Sequence, residues 1–424
     1  MPYSLFGNTL LHHNKQLLVS APYHGGSGAV YVYEFPQSKL IATLMPPLSY
    51  ATDSRFGEDL ALVDFDGDGK LDVLVGAPSQ STKERIHTGA IHVYSENKLI
   101  ATISPPALML AQVNEKGFLL FGERLMVADL NGDSLADLVV GSPSFSGTGL
   151  EQSGILCTYL ALPYGGLLKE PHWCAVSPSQ HNHERFGTQI QFLDTQKSLL
   201  IGAPGHKLNS ISMGCIYRLN LNQAGYPNFP AVPVLFGEQP GMELGTRFVY
   251  SNSQIIVSAP TFSTKSNWLA GGLYRIDIAG SSLPWTLDKN PIVARSKGGL
   301  MGFAILRTDH PNLGGIFVSE PLGDWEQGQV TFISNNPNNP NISDNCYRSG
   351  KDRTRFGWAM ALADFDGDGK LDLAVSSPHH SIGPNAEVGK VTILYNVEST
   401  WMSNVSPTLP NLILPMLSLL VTIL

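Results

Sequence analysis

Short apolar runs recur along this chain in a fixed order. A bulky apolar residue followed by Gly opens each unit, a β-like run comes next, and a second apolar run closes on Pro. Phe6-Gly7 leads in this way to Val19-Ser20-Ala21-Pro22, Phe56-Gly57 to Val75-Gly76-Ala77-Pro78, Phe121-Gly122 to Val140-Gly141-Ser142-Pro143, and Phe186-Gly187 to Ile201-Gly202-Ala203-Pro204. Weaker copies follow at Leu244-Gly245 with Val257 to Pro260 and at Met301-Gly302 with Val318 to Pro321, and Phe356-Gly357 with Val375 to Pro378 completes seven. Each unit then carries a third run opened by Gly and rich in β-branched and aromatic residues, such as Gly28-Ala29-Val30-Tyr31-Val32-Tyr33 and Gly89-Ala90-Ile91-His92-Val93-Tyr94. That composition suits a strand. A fourth run is visible in the near copies Lys39 to Pro47 and Lys98 to Pro106.

Four strands per unit, in units starting near residues 6, 56, 121, 186, 244, 301 and 356, predict an all-β, seven-bladed β-propeller of four-stranded antiparallel blades. A lone four-stranded sheet has two faces to bury, and neighbouring blades cover them. The propeller is expected over residues 1–396, a polar linker over 397–408 and a hydrophobic tail over 409–424. The seventh unit shows strands at Trp358 to Ala363, Leu371 to Val375 and Gly389 to Tyr395 without a clear fourth. Two sources for it compete: residues upstream of the first Phe-Gly, of which only Met1 to Leu5 stand here, and Val397 to Met402 from downstream.

Composition narrows the functional classes. The chain has 424 residues, 43% apolar and 15% charged, with 42 Gly and 29 Pro, which suits short strands joined by turns. A formal charge of −8 and the lack of any Lys/Arg cluster set nucleic acid aside. Four cysteines lack paired metal-ligand spacing. Cys157 and Cys174 are a candidate disulfide, the alternative being two buried free thiols.

Three units carry a nine-residue acidic loop between their first two strands: Asp64-Phe65-Asp66-Gly67-Asp68-Gly69-Lys70-Leu71-Asp72, its exact repeat at Asp364 to Asp372, and Asp129-Leu130-Asn131-Gly132-Asp133-Ser134-Leu135-Ala136-Asp137. Oxygen ligands at alternate positions, with glycines that let the backbone curl round a point, suit a hard cation, and three Ca2+ sites are expected. Side-chain ligands are assigned to Asp64, Asp66, Asp68 and Asp72 with the Lys70 carbonyl, and to Asp364, Asp366, Asp368 and Asp372 with the Lys370 carbonyl. By the same spacing Asp129, Asn131, Asp133 and Asp137 act with the Leu135 carbonyl. An EF-hand would place Glu at the twelfth position between helices, whereas Val75 stands there between strand-like flanks.

The ordered Phe-Gly and Ala-Pro elements resemble the FG-GAP repeats of integrin-α heads and of glycosylphosphatidylinositol-specific phospholipase D, over about residues 3 to 396. That resemblance implies a calcium-binding extracellular propeller, secreted or at the cell surface. It implies the non-catalytic C-terminal module of such a phospholipase, with a protein or glycolipid-anchored protein as ligand. An integrin-like adhesion or ligand-binding head is the alternative.

No catalytic constellation stands out. The histidine pairs His12 with His13, His181 with His183, and His379 with His380 are read as exposed polar loop residues. Zinc enters only with a separate catalytic domain, which in the phospholipase precedes the propeller, so a truncated copy of a longer protein is an expectation. The N-terminus lacks a secretory signal. The tail from Leu409 to Leu424, interrupted by Pro410 and Pro415, fits a removable lipid-anchor signal better than a membrane helix and would give membrane association. Asn341-Ile342-Ser343 and Asn404-Val405-Ser406 are glycosylation acceptors if the protein is exported.

Overall fold

The computed structural model describes residues 4–47, 53–113, 117–147, 149–251, 254–278, 283–294, 296–310, 313–334, 342–349, 353–381, 387–397 and 411–415. It is a seven-bladed β-propeller of four-stranded antiparallel sheets. Two compact units make up the chain. Met1–Met45 with Ala304–Leu424 holds blades 1, 6 and 7, and Pro46–Phe303 holds blades 2 to 5.

Blade 2 comprises Leu60–Val63, Asp72–Gly76, Ile91–Ser95 and Lys98–Ile103. Blade 3 comprises Arg124–Ala128, Asp137–Ser142, Ile155–Tyr159 and Trp173–Val176, and blade 4 Ile190–Leu193, Ser198–Ala203, Cys215–Asn220 and Val232–Phe236. Blades 1, 5 and 6 lie within residues 10–44, 248–293 and 305–348.

Blade 7 has Met360–Ala363, Asp372–Ser377 and Lys390–Leu394, and its fourth strand is Asn411–Pro415, paired antiparallel to the third with Lys390 opposite Pro415. The fourth strand therefore comes from downstream, but from the apolar tail rather than from Val397 to Met402, and the sheet extends past residue 396. An apolar strand at this edge satisfies the ladder that the third strand would otherwise leave open.

The recurrent sequence pairs have a steric cause. The Gly that opens a third strand has positive φ and lies against the Phe-Gly of the next blade: Gly154 (φ +86°) meets the Phe186 backbone, and Gly389 (φ +79°) meets Phe6. A Cβ at either position would overlap the neighbouring carbonyl. The small residue two positions before the closing Pro has the matching role, since Gly141 faces Gly187, and Gly7 lies against Ser376.

The recurrent Phe is buried, and in blades 1 and 4 it meets a tyrosine of its own third strand edge-on, with ring centroids 5.4 Å apart for Phe6 and Tyr31 and 5.5 Å for Phe186 and Tyr217. The apolar cores consequently lie between successive sheets. One joins blades 2 and 3 through Leu74, Val93, Phe121 and Tyr159, and another joins blades 7 and 1 through Phe6, Val19, Tyr31 and Ile393.

Candidate metal centres

All three acidic loops connect first and second strands and wind in the same way. In the first, Asp64 accepts from the Gly67 N–H at 2.9 Å and the Gly69 N–H at 3.0 Å, while Lys70 N–H donates to Asp68 at 2.8 Å. The last repeats the pattern, Asp364 accepting from Gly367 at 2.7 Å and Gly369 at 2.8 Å, with Lys370 N–H to Asp368 at 2.9 Å. In the middle loop Asp129 accepts from Gly132 at 2.6 Å and Ser134 at 2.9 Å, and Leu135 N–H donates to Asp133 at 2.8 Å. Amides donating to the first carboxylate curl the backbone back on itself, while Asp68 and Asp368 stay outside the carboxylate groups that converge.

The ninth residue anchors each loop from the start of the second strand. Asp72, Asp137 and Asp372 are at most 1% exposed. Their Oδ2 atoms accept from Phe65 at 2.9 Å, Leu130 at 2.9 Å and Phe365 at 2.8 Å. The Oδ1 atoms of Asp137 and Asp372 also accept, from Ala161 at 2.8 Å and Asn396 at 2.7 Å, whereas Asp72 Oδ1 is buried with no hydrogen-bond partner. Burial pushes both Asp137 and Asp372 up to about 6, against the lowering by those backbone donors.

Two groups of carboxylates converge. One oxygen each from Asp64, Asp66 and Asp72 lies within 4.8 Å of the others, and the same holds for Asp364, Asp366 and Asp372. In the middle loop Asn131 occupies the third position, and its Nδ2 donates to Asp133 Oδ2 at 3.0 Å. Ser134 adopts φ +70°, the left-handed conformation that Gly69 and Gly369 take at +85° and +83°. The buried orphan oxygen of Asp72 and the all-oxygen donor set fit a hard divalent cation.

Each loop is braced by the following blade. The turn at Tyr164 to Gly166 in blade 3 lies on the first loop, Gly166 N–H donating to the Phe65 carbonyl. Gly225 of blade 4 approaches Leu130 and Asn131, and its carbonyl accepts from Trp173 Nε1 at 2.8 Å. Phe365 packs against Phe35 of blade 1 with centroids 4.9 Å apart.

The family comparison falls on the same segments. FG-GAP repeats match residues 56–94, 121–155 and 356–394, and each match contains one acidic loop. The chain carries FG-GAP repeats. Its relatives include phosphatidylinositol-glycan-specific phospholipase D of Bos taurus, 25% identical over 343 residues, covering 78% of this chain and 35% of the relative. The Homo sapiens phospholipase of the same name is 28% identical over 244 residues, covering 51% and 28%. Integrin alpha-E of Mus musculus is 35% identical over 136 residues, covering 30% and 12%. This FG-GAP chain thus spans about a third of the length of the phospholipases it matches.

Other expected residues fall as follows. Cys157 and Cys174 stand directly opposite each other in blade 3, with Cα atoms 4.1 Å apart, and form a disulfide. Asn341 and Asn404 lie outside the described residues. Among the described residues no helix is long and apolar enough to cross a membrane.

The histidines differ from the loop reading. His12 and His13 end the first strand of blade 1, half-buried, with the His12 ring 5.6 Å from Phe365. His379 is half-buried between Arg355 Nη1 at 3.1 Å and Glu387 Oε1 at 3.3 Å. His183 is exposed, but His181 is half-buried beside Glu184 and His206. Sequence reasoning passed over Glu184 and His206. The available signal was Glu184 itself, an acid two residues before Phe-Gly where other units have Ser4, Ser54 and Thr354.

Proposed function

We propose that this chain is a calcium-binding extracellular β-propeller acting as the non-catalytic module of a phospholipase D-like protein specific for phosphatidylinositol-glycan anchors. The observation that carries the reading is the coincidence of all three FG-GAP matches with the three acidic loops. The phospholipase matches, reaching 78% of this chain, support the choice of parent protein.

Asp64, Asp66, Asp68 and Asp72 with the Lys70 carbonyl would hold one calcium ion, and the equivalent residues of the other two loops would hold two more. Bound calcium supplies positive charge where carboxylates crowd together, including the buried Asp72, Asp137 and Asp372. The residues themselves pre-wind the loop through their amide hydrogen bonds, so the cation meets oxygens already gathered on one side. In this reading the loops are structural, and the partner is a protein or glycolipid-anchored protein. The integrin alpha-E match, at 35% identity, favours an adhesive ligand-binding head as the second reading.

Thermal melts in 2 mM calcium and in excess chelator test the calcium assignment. At a Kd of about 0.1 mM each occupied site adds about 2 kcal/mol. The chain is expected to melt higher in calcium, and Asp364→Ala is expected to reduce the difference and remove one site from a calorimetric titration. Identical melts with and without calcium, or a titration unchanged by the substitution, would overturn the assignment. The purified chain is expected to release no glycosylphosphatidylinositol-anchored protein from membranes, and release would contradict the non-catalytic reading.

A further inference from the structure

Blade 4 has no acidic loop, yet it brings together a buried group of ionisable side chains that could ligate a metal. Glu184 is fully buried and His206 is 6% exposed. The segment from Ser177 to Glu184 precedes the first strand of the blade, His206 follows the second, and Tyr217 lies on the third. Glu184 Oε1 accepts from Tyr217 Oη at 2.7 Å and lies 2.8 Å from His206 Nδ1, while Tyr217 Oη is 3.0 Å from that nitrogen. The other oxygen, Oε2, accepts from Ser179 Oγ at 2.5 Å and from the His181 N–H at 3.5 Å.

His181 completes the group. Its ring lies 5.8 Å from that of His206, and its Nδ1 is buried with no hydrogen-bond partner. One ligand atom from each of His181, Glu184 and His206 lies within 4.8 Å of the others. A buried imidazole nitrogen without a partner is costly in a purely structural network. Tyr217, Ser179 and the His181 N–H already satisfy the carboxylate, so its hydrogen bonding does not require that nitrogen to point inward.

We propose that His181, Glu184 and His206 form a transition-metal site that takes Zn2+. Two imidazoles and one carboxylate are a donor set that zinc accepts, and its tetrahedral preference leaves one position for water or the Tyr217 oxygen. Calcium, which prefers six to eight oxygens, has no comparable claim on two nitrogens. The Ser179 hydroxyl, donating to the carboxylate, acts as the orienting neighbour that metal-bound carboxylates commonly have. The site ties the segment before the first strand to the residues that follow the second, beside Tyr217 of the third. It is independent of the calcium reading.

The test uses the full chain, stripped with chelator and then held in 2 mM calcium so that the oxygen loops are saturated. Cobalt(II) is titrated and visible absorption recorded, followed by displacement with zinc. The wild type is expected to bind one equivalent with the intense visible bands of a four-coordinate site, and zinc is expected to bleach them and raise the melting temperature. His181→Ala keeps the backbone amide that His181 gives to Glu184 and should fold. It is expected to weaken zinc binding at least about tenfold and to abolish the zinc-dependent melting shift. His183→Ala, at an exposed neighbour, is expected to bind as the wild type does. Should His181→Ala fail to fold, Glu184→Gln, of the same shape, takes its place with the same expected loss. Weak octahedral-type absorption in the wild type, no zinc binding at micromolar concentration, or equal zinc binding by wild type and ligand variant would each overturn the proposal. Loss of calcium binding with zinc binding retained would refute the calcium assignment alone.

Discussion

His92 offers a quantitative test of how a blade core is held. It is fully buried in the third strand of blade 2, with Nε2 2.7 Å from Gln80 Oε1 and Nδ1 3.0 Å from Thr102 Oγ1. This geometry suits a neutral ring in which Nε2–H donates to Gln80 and Nδ1 accepts from the Thr102 hydroxyl. Burial lowers its pKa from 6.5 to about 4. The folded chain therefore keeps His92 neutral where the unfolded chain protonates it. Stability is fully present above about pH 6.5 and falls as pH drops through the window between 6.5 and about 4. At about 1.4 kcal/mol per unit, this one side chain accounts for a loss of about 3 kcal/mol across that window.

His92→Tyr removes the titration and keeps the packing, because the same register position opposite the second strand holds Tyr31, Tyr217 and Tyr274 in blades 1, 4 and 5. Urea unfolding of both proteins at pH 8, 6, 5 and 4.5 in saturating calcium measures the difference. Any offset at pH 8 reflects packing and is subtracted. The variant is expected to gain on the wild type by between 2 and about 3 kcal/mol by pH 4.5. Parallel stability curves from pH 8 to 4.5 would refute the assignment of a buried neutral imidazole.

Two further outcomes follow from local geometry. Replacing Cys157 and Cys174 by Ser opens a loop of sequence separation 17 and is expected to lower stability by about 3 kcal/mol; an unchanged urea midpoint would show that the crosslink adds nothing. Ser134→Gly relieves a left-handed backbone at φ +70° and is expected to stabilise the middle loop by about 1 kcal/mol and raise its calcium affinity; a lower melting temperature in calcium would count against the shared loop geometry.

The residues whose role is local in the chain are legible in the sequence alone. A nine-residue loop gathers its own carboxylates, so Asp64 to Asp72 and Asp364 to Asp372 declare their shape through spacing and glycine alone. The Phe-Gly and Gly-Ala-Pro pairs were legible for a related reason. Each blade imposes the same steric demand on its neighbour, so the demand is written once per unit and shows as a period.

The tertiary structure decided what depends on segments far apart in sequence. His181, His206 and Tyr217 come from three different parts of blade 4 and meet only after strand register is set. Nothing in their spacing distinguishes them from the exposed His183. The fourth strand of blade 7 likewise depends on which apolar segment reaches an open ladder, and Asn411–Pro415 does so although its sequence reads as a tail. Hydrophobic period specifies that a strand is wanted, but the identity of a distant partner is set by the free energy of the assembled sheet.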